Sequence, residues 1–215
     1  MKKYLINIIT LCFCGWLLGQ TSTPMVTIKG GSYVPLYGVK GEDKATKPIN
    51  IKSFQLDIYP VTNAQYKAFL EKHPEWRRSR VKGIFAQKSY LSHWKSDLEF
   101  SPLEAQAPVT HISWFAAKKY CECEGKRLPT TDEWEYVAQS DAQSIDARKK
   151  KHYQEYIVRS MQTPKTYLQK VGSTPKNYWG VYDMHGLVWE WVSDFNSVLL
   201  SGDSRKDKQG DDALF

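Results

Sequence analysis

Apolar and polar positions alternate in two short stretches near the start of the chain. The first covers residues 25–28 and leads into Gly30-Gly31, a pair typical of a turn or bulge. The second covers residues 47–56. Because strict alternation places the apolar side chains on one face of an extended backbone, we predict a β-strand in each stretch.

Three further stretches show the 3.6-residue period of amphipathic helices. The first covers residues 64–72 and follows a capping-box pair formed by Thr62 and Gln65. The second covers residues 113–124 and begins at a serine cap, while the third begins at a capping box led by Thr130. The caps therefore predict where each helix starts.

Two longer stretches lack either period. Residues 73–107 contain prolines and irregularly spaced Trp, Phe and Tyr residues, which predicts a long loop held in place by its aromatic side chains. Residues 139–170 are polar and rich in lysine, and we interpret them as a surface insertion that permits helix.

Residues 177–194 combine aromatic rings with acids. Their ring surface favours burial, yet a carboxylate in apolar surroundings costs several kcal/mol unless a counter-charge or hydrogen bonds meet it. Two interpretations remain open. Either the acids and the carbonyls near Gly180 and Gly186 form an oxygen cage for a hard cation such as calcium, or the acids cap helices and pair with lysines. The acids concerned are Asp183, Glu190 and Asp194.

The N-terminus has the pattern of a targeting segment. Lys2 and Lys3 precede an apolar run over residues 5–18, which is shorter than the roughly 20 residues that span a bilayer. We predict a cleaved signal peptide at residues 1–20, one domain at residues 21–215, and a periplasmic or secreted protein with no stable membrane span after cleavage. The formal net charge of +7 falls to +5 without the two signal lysines, which is typical of a solvated surface and not of a nucleic-acid-binding protein.

Cys121 and Cys123 lie two residues apart on the second predicted helix. Side chains at that spacing diverge by about 200°, so a disulfide between them is geometrically poor. Two interpretations stay open: both are buried thiols, or a partner cysteine lies beyond Phe215.

Four blocks, in this order, resemble the formylglycine-generating enzyme family, whose members are also called sulfatase-modifying factors. The first two blocks are MVTIKGGSY at 25–33 and YPVTNAQY at 59–66. The third joins PVTHISW at 108–114 to KRLPT at 126–130 and EWEY at 133–136, and the fourth is GVYDMHGLVWEW at 180–191. The resemblance implies an α+β fold of irregular, C-type-lectin-like form with low regular secondary structure and bound calcium. It assigns the calcium ligands to Asp183, the carbonyls of Gly186 and Val188, and Glu190.

The resemblance also implies a chemistry, the oxidation of a cysteine in a client protein such as a sulfatase to formylglycine. Members that catalyse it bind copper through two cysteines of a later C-terminal block, and they pair the cysteine at the position of Cys121 with one near their C-terminus. This sequence stops at Phe215, before that block, so we expect a C-terminally incomplete domain that is inactive as given, and we nominate no catalytic residue. Copper is expected only if a missing block supplies the cysteines. The alternative is a non-catalytic, calcium-stabilised binding or accessory domain of the cell envelope.

Overall fold

The computed structural model describes residues 23–36, 47–162 and 169–195. Within these residues the chain forms four short strands and four helices joined by long irregular segments. This mixed α/β architecture with little regular secondary structure confirms the coarse fold prediction. The predicted signal peptide lies outside the described residues. In the described part of the chain no helix combines the length and apolar character needed to cross a membrane.

The strands form two antiparallel pairs. Strand β1 (Met25–Ile28) pairs with β4 (Phe54–Asp57), and β2 (Gly31–Tyr33) pairs with β3 (Ile49–Ile51). The prediction of one strand over residues 47–56 was therefore wrong, because the chain breaks into β3 and β4.

The break between β3 and β4 is fixed by a close backbone approach. The Ser53 hydroxyl accepts a 3.0 Å hydrogen bond from the Gly30 amide. A Cβ atom added at Gly30 would lie 2.3 Å from the Ile51 carbonyl oxygen. Only glycine fits there, so the two strand pairs meet at this point without an intervening side chain.

Helix α1 (Asn63–Lys72) starts at the predicted capping box, in which the Thr62 amide donates to Gln65 Oε1 at 2.9 Å. Its inner face packs against the loop over residues 73–107 and against helix α2 (Trp114–Cys123). The loop holds two short 3₁₀ turns at Pro74–Trp76 and Pro102–Glu104 and is otherwise irregular, as predicted. The buried residues of this first core are Tyr66, Phe69, Leu70, Tyr90, Leu91, Trp94, Val109, Ala116 and Tyr120.

Helix α3 (Thr131–Ala138) also begins at its predicted capping box, and helix α4 (Lys151–Gln162) lies within the predicted insertion. Residues of α3 pack against the strands and against the aromatic stretch after residue 177. The buried residues of this second core are Ile28, Tyr33, Tyr136, Val137, Ala138, Trp179, Val181 and Met184. The stretch with interleaved rings and acids is thus fastened to the second core.

Candidate metal centre and adjoining cleft

Asn177 builds the turn that opens the aromatic and acidic stretch. Its side-chain Oδ1 accepts the backbone N–H groups of Trp179 and Val181, each at 3.0 Å. Its side-chain amide donates to the Val137 carbonyl at 3.2 Å, which ties the turn to the end of α3. The following residues are therefore positioned by a buried polar anchor rather than by a helix or strand.

Asp183 is fully buried. One carboxylate oxygen accepts the Thr174 amide at 3.0 Å and the other accepts the Gly172 amide. The Asp183 amide donates in turn to the Thr174 hydroxyl at 2.8 Å. With φ at +62°, Asp183 lies in the left-handed region, which is uncommon outside glycine. The buried Asp183 carboxylate is therefore stabilised by neutral backbone N–H donors.

Glu190 is half-buried, and its Oε2 accepts a 2.7 Å hydrogen bond from the Trp134 indole N–H. Burial raises the pKa of Glu190 to about 7, and the nearby charge of Asp183 raises it further while the indole hydrogen bond opposes both effects. The two acids are thus within electrostatic reach of one another. A divalent ion between them would relieve that repulsion.

Gly186 and Val188 lie between the two acids on the same turn. Gly186 has φ at +89°, and a Cβ atom added there would lie 3.1 Å from Ser160 Cβ on α4. Val188 is half-buried. The four predicted calcium ligands therefore lie within residues 183–190, a segment that accepts hydrogen bonds from Trp134 on α3 and Tyr156 on α4.

Asp194 has a different role from the other two acids. Its Oδ1 accepts the Thr131 amide at 2.7 Å and the Thr131 hydroxyl at 3.0 Å, at the first residue of α3. The helix-cap interpretation is therefore confirmed for Asp194.

Among the residues that the structure describes, no three His, Cys, Asp or Glu side chains converge in a metal-binding arrangement. The candidate cation site thus consists of two carboxylates and the backbone oxygens between them. Such an all-oxygen donor set suits a hard cation.

A cleft of about 640 Å³ adjoins this turn, and Val188 and Glu190 form part of its wall. Its other walls come from β4 and from segments on either side of α2. Tyr59 and Tyr182 line it as a stacked pair with ring centroids 5.1 Å apart. The volume of the cleft is therefore large enough for a polypeptide segment or a small molecule.

The prediction that the rings of this stretch are buried holds only in part. Trp179 is buried, but Trp189 is 88% exposed and Tyr178 and Trp191 are also exposed. Trp191 donates its indole N–H to the Ile112 carbonyl at 3.1 Å. Trp189 and Trp191 also line the cleft, so apolar ring surface is displayed at its rim.

Cys121 and Cys123 are free, half-buried thiols. Cys121 lines the cleft, and burial together with the charge of Asp57 raises its pKa to about 11, so it is a neutral thiol at pH 7. Their two-residue spacing on α2 points the side chains apart.

The sequence did not predict which groups donate hydrogen bonds to the two acids of the site. The Gly172 and Thr174 amides bind Asp183, and the Trp134 indole binds Glu190. The inward-facing position of Trp134 on α3 was predictable, but an indole N–H carries no sign of its acceptor. The amides come from residues 172–174, for which the sequence pattern predicts no specific contact.

Comparison with known proteins identifies relatives along most of the chain. A family model described as "Sulfatase-modifying factor enzyme 1-like domain" matches residues 18–213. The chain is 32% identical over 180 residues to the serine/threonine-protein kinase pkn1 of Chlamydia caviae, which covers 80% of this chain and 28% of the kinase.

Two mammalian proteins match over a larger share of their own length. Identity to the inactive C-alpha-formylglycine-generating enzyme 2 of Bos taurus is 27% over 232 residues, covering 88% of this chain and 77% of that protein. Identity to the formylglycine-generating enzyme of Bos taurus is 27% over 239 residues, covering 89% of this chain and 64% of that enzyme. The chain thus spans 28% of the length of the kinase but most of the length of the inactive mammalian protein.

Proposed function

The chain belongs to the sulfatase-modifying factor family, and on that premise we propose that it is a calcium-stabilised domain that binds an extended polypeptide in its cleft. The observation that carries the proposal is that Val188 and Glu190, from the segment that contains the predicted calcium ligands, line the same cleft as residues 54–57 of β4. The proposal includes the C-type-lectin-like form of the family fold and a location in the periplasm or outside the cell.

The ion would be held by the carboxylates of Asp183 and Glu190 and by the carbonyl oxygens of Gly186 and Val188. Oxygen donors of this kind are the ligands that calcium prefers. When bound, the ion supplies the positive charge that keeps Glu190 ionised at neutral pH. The residues around it then hold the 183–190 turn, and with it one wall of the cleft, in a single arrangement.

The open edge of β4 supports a polypeptide as the occupant of the cleft. The Ile58 amide donates to the Pro24 carbonyl at 3.0 Å, so these two residues face each other as a hydrogen-bonded pair. Non-hydrogen-bonded and hydrogen-bonded pairs then alternate along the β1–β4 ladder. By this alternation Gln55 and Asp57 direct their backbone groups away from β1. Residues 54–57 line the cleft, and within the described residues β1 is the one strand paired with β4. An extended segment can add to such an edge through its main chain.

The cleft walls also suit a peptide with apolar side chains. Besides the stacked tyrosines, the cleft is lined by aliphatic residues from several segments. Successive side chains of an added strand point to opposite faces, so alternate ones would contact these walls. The aliphatic residues concerned are Leu56, Val61, Ile112, Val181 and Met184.

Fluorescence anisotropy with a labelled Cys-x-Pro-x-Arg peptide in the presence of calcium tests this function. Tyr182→Ala removes half of the aromatic stack and is expected to weaken peptide binding at least about tenfold. Tyr178→Ala is the matched control, since Tyr178 is exposed but does not line the cleft. Equal peptide affinity in both variants and the unaltered chain, or no binding at all, would contradict the proposal.

The second candidate function is the oxidation of a client cysteine to formylglycine, as in the enzymes of this family, with a protein such as a sulfatase as the client. The similarity to the formylglycine-generating enzyme of Bos taurus favours it, whereas the similarity to the inactive C-alpha-formylglycine-generating enzyme 2 favours a non-catalytic domain. Mass spectrometry of the same peptide, incubated with the chain, copper and a reductant, separates the two functions. A binding domain leaves the peptide thiol intact, and loss of the thiol supports oxidation.

A further inference from the structure

Two imidazoles lie close together on the surface of the protein. The ring centroids of His93 and His111 are 5.0 Å apart and the ring planes are inclined at 43°. Both residues are exposed, although 18 positions separate them in the sequence. Two imidazoles that bind one zinc-sized ion at about 2.0–2.1 Å place their centroids roughly 5 Å apart. The two rings therefore have the separation of a chelating pair.

The backbone holds these two segments together in an uncommon conformation. The Leu91 amide donates to the His111 carbonyl at 2.8 Å. Leu91 has φ at +47° and His111 has φ at +54°, so both non-glycine residues lie in the left-handed region. Such conformations persist where the surroundings fix them, and Leu91 is fully buried in the first core. The pairing of the rings is thus built into the fold.

Polar contacts fix the backbone around His93 and meet the ring of His111. The Arg78 guanidinium donates to the carbonyls of Leu91 and Trp94, both at 2.9 Å, and so fixes the backbone on either side of His93. The Thr110 hydroxyl lies 3.2 Å from Nδ1 of His111. A polar partner at one ring nitrogen is how proteins orient an imidazole that binds a metal through the other.

The chemistry of the donor atoms narrows the choice of metal. Imidazole nitrogen suits borderline transition-metal ions better than hard cations such as calcium, which prefer oxygen.

We propose that His93 and His111 form a two-imidazole site for a borderline divalent transition-metal ion such as Zn²⁺, Ni²⁺ or Co²⁺. His111 also lines the large cleft, so the ion would lie at the margin of that cleft. With two protein ligands the ion keeps further coordination positions for water or for a donor atom of a bound molecule. The site differs in its residues and ligand type from the oxygen donors at residues 183–190, and it goes beyond the proposed function.

Cobalt titration of the full chain tests the site. At about pH 7.5, above the ordinary pKa of histidine, and with calcium present, we expect one Co²⁺ per chain, seen as d–d absorption. The spectrum should lack a thiolate-to-cobalt charge-transfer band, which excludes Cys121 and Cys123 as ligands. His93→Ala and His111→Asn should each weaken Co²⁺ binding at least about tenfold.

The variants are chosen so that folding does not decide the result. Asparagine tolerates the left-handed backbone of His111 but removes the imidazole, and His93→Ala changes an exposed side chain. His73→Ala and His152→Ala are matched controls, since those rings approach Glu75 and Asp141 instead. The proposal is overturned if no Co²⁺ binds, if His93→Ala binds Co²⁺ like the unaltered chain, or if the controls weaken binding as much.

Discussion

The indole of Trp134 on α3 donates a 2.7 Å hydrogen bond to the carboxylate of Glu190, 56 residues later in the chain. Four residues beyond Glu190, Asp194 caps the first turn of the same helix through Thr131. Residues 190–194 are therefore hydrogen-bonded to α3 at two points. Any change in the charge of Glu190 acts directly on this attachment and on the cleft wall.

The first prediction concerns the pH dependence of stability without calcium. The pKa of Glu190 is about 7 in the folded chain, above its value of about 4.3 when unfolded, so the folded state binds the extra proton between these values. The contribution of the protonated Glu190 carboxyl to the free energy of unfolding is fully present below about pH 4.3 and is lost as the pH rises through 7. Chemical denaturation in excess chelator should show a loss of about 2–3 kcal/mol from this group over that range.

Glu190→Gln isolates that contribution from those of other carboxyl groups. Glutamine keeps an acceptor for the Trp134 indole but carries no charge at any pH. The calcium-free variant should therefore be more stable than the calcium-free unaltered chain at pH 8, and their difference should vanish near pH 4. Parallel pH profiles for the two proteins would refute the assignment.

The second prediction concerns the buried hydrogen bonds of the first core. Asn63 accepts the Trp94 indole N–H at 3.0 Å and donates to the Glu104 and Ala107 carbonyls. Asn63→Ala leaves the buried Trp94 indole N–H without its acceptor, whereas the Glu104 and Ala107 carbonyls keep backbone N–H donors, and it should lower the free energy of unfolding by about 1–3 kcal/mol. Asn50→Ala, at an exposed position of β3, should change it by less than about 0.5 kcal/mol. Equal effects in urea denaturation would show that the Asn63 network contributes nothing specific.

The third prediction concerns the N-terminus of α3. Thr130 accepts the Glu133 amide at 3.1 Å, while the Glu133 carboxylate accepts the Thr130 amide at 2.9 Å. Thr130→Ala should cost about 1 kcal/mol of stability, and Thr130→Ser, which retains the hydroxyl, should cost much less. Both variants lose the γ-methyl group, so a difference between their thermal unfolding temperatures isolates the hydroxyl cap, and equal losses would contradict this role.

The fourth prediction concerns Gly186, which lies between the two acids of the candidate calcium site. Gly186→Ala forces a side chain into a backbone with φ at +89° and against Ser160, so we expect a loss of about 1–3 kcal/mol and weaker calcium binding. Gly83 is exposed, and a Cβ atom added there meets nothing within 4 Å. Gly83→Ala should therefore leave the melting temperature and the calcium affinity nearly unchanged. A neutral Gly186→Ala would show that the turn adapts without strain.

Local signals in the sequence predicted the helices well. Thr62, Ser113 and Thr130 each cap a helix that begins at the next residue, because capping depends on contacts within one turn. The break between β3 and β4 was missed, since it depends on the approach of Gly30 to Ile51 from a distant segment. Alternation alone cannot reveal such a contact.

The candidate site was predicted as residue types but not as contacts. Asp183 and Glu190 stood out because acids among rings need a partner, and both lie in the turn that was expected to hold them. Their anchors at Gly172 and Trp134 come from other segments, so sequence spacing gave no information on them. The same limit applies to His93 and His111, which the chain brings together only through the fold of the long loop.

Isothermal titration of calcium into the chelator-treated chain tests the central claim, that Asp183 and Glu190 share a calcium ion, most directly. At pH 7 we predict one ion per chain with release of a fraction of a proton, since Glu190 must ionise to bind it. Glu190→Gln should lose most of the affinity and the proton release, while the exposed Glu75→Gln should retain both. No calcium binding, or binding that Glu190→Gln leaves unchanged, would contradict the claim.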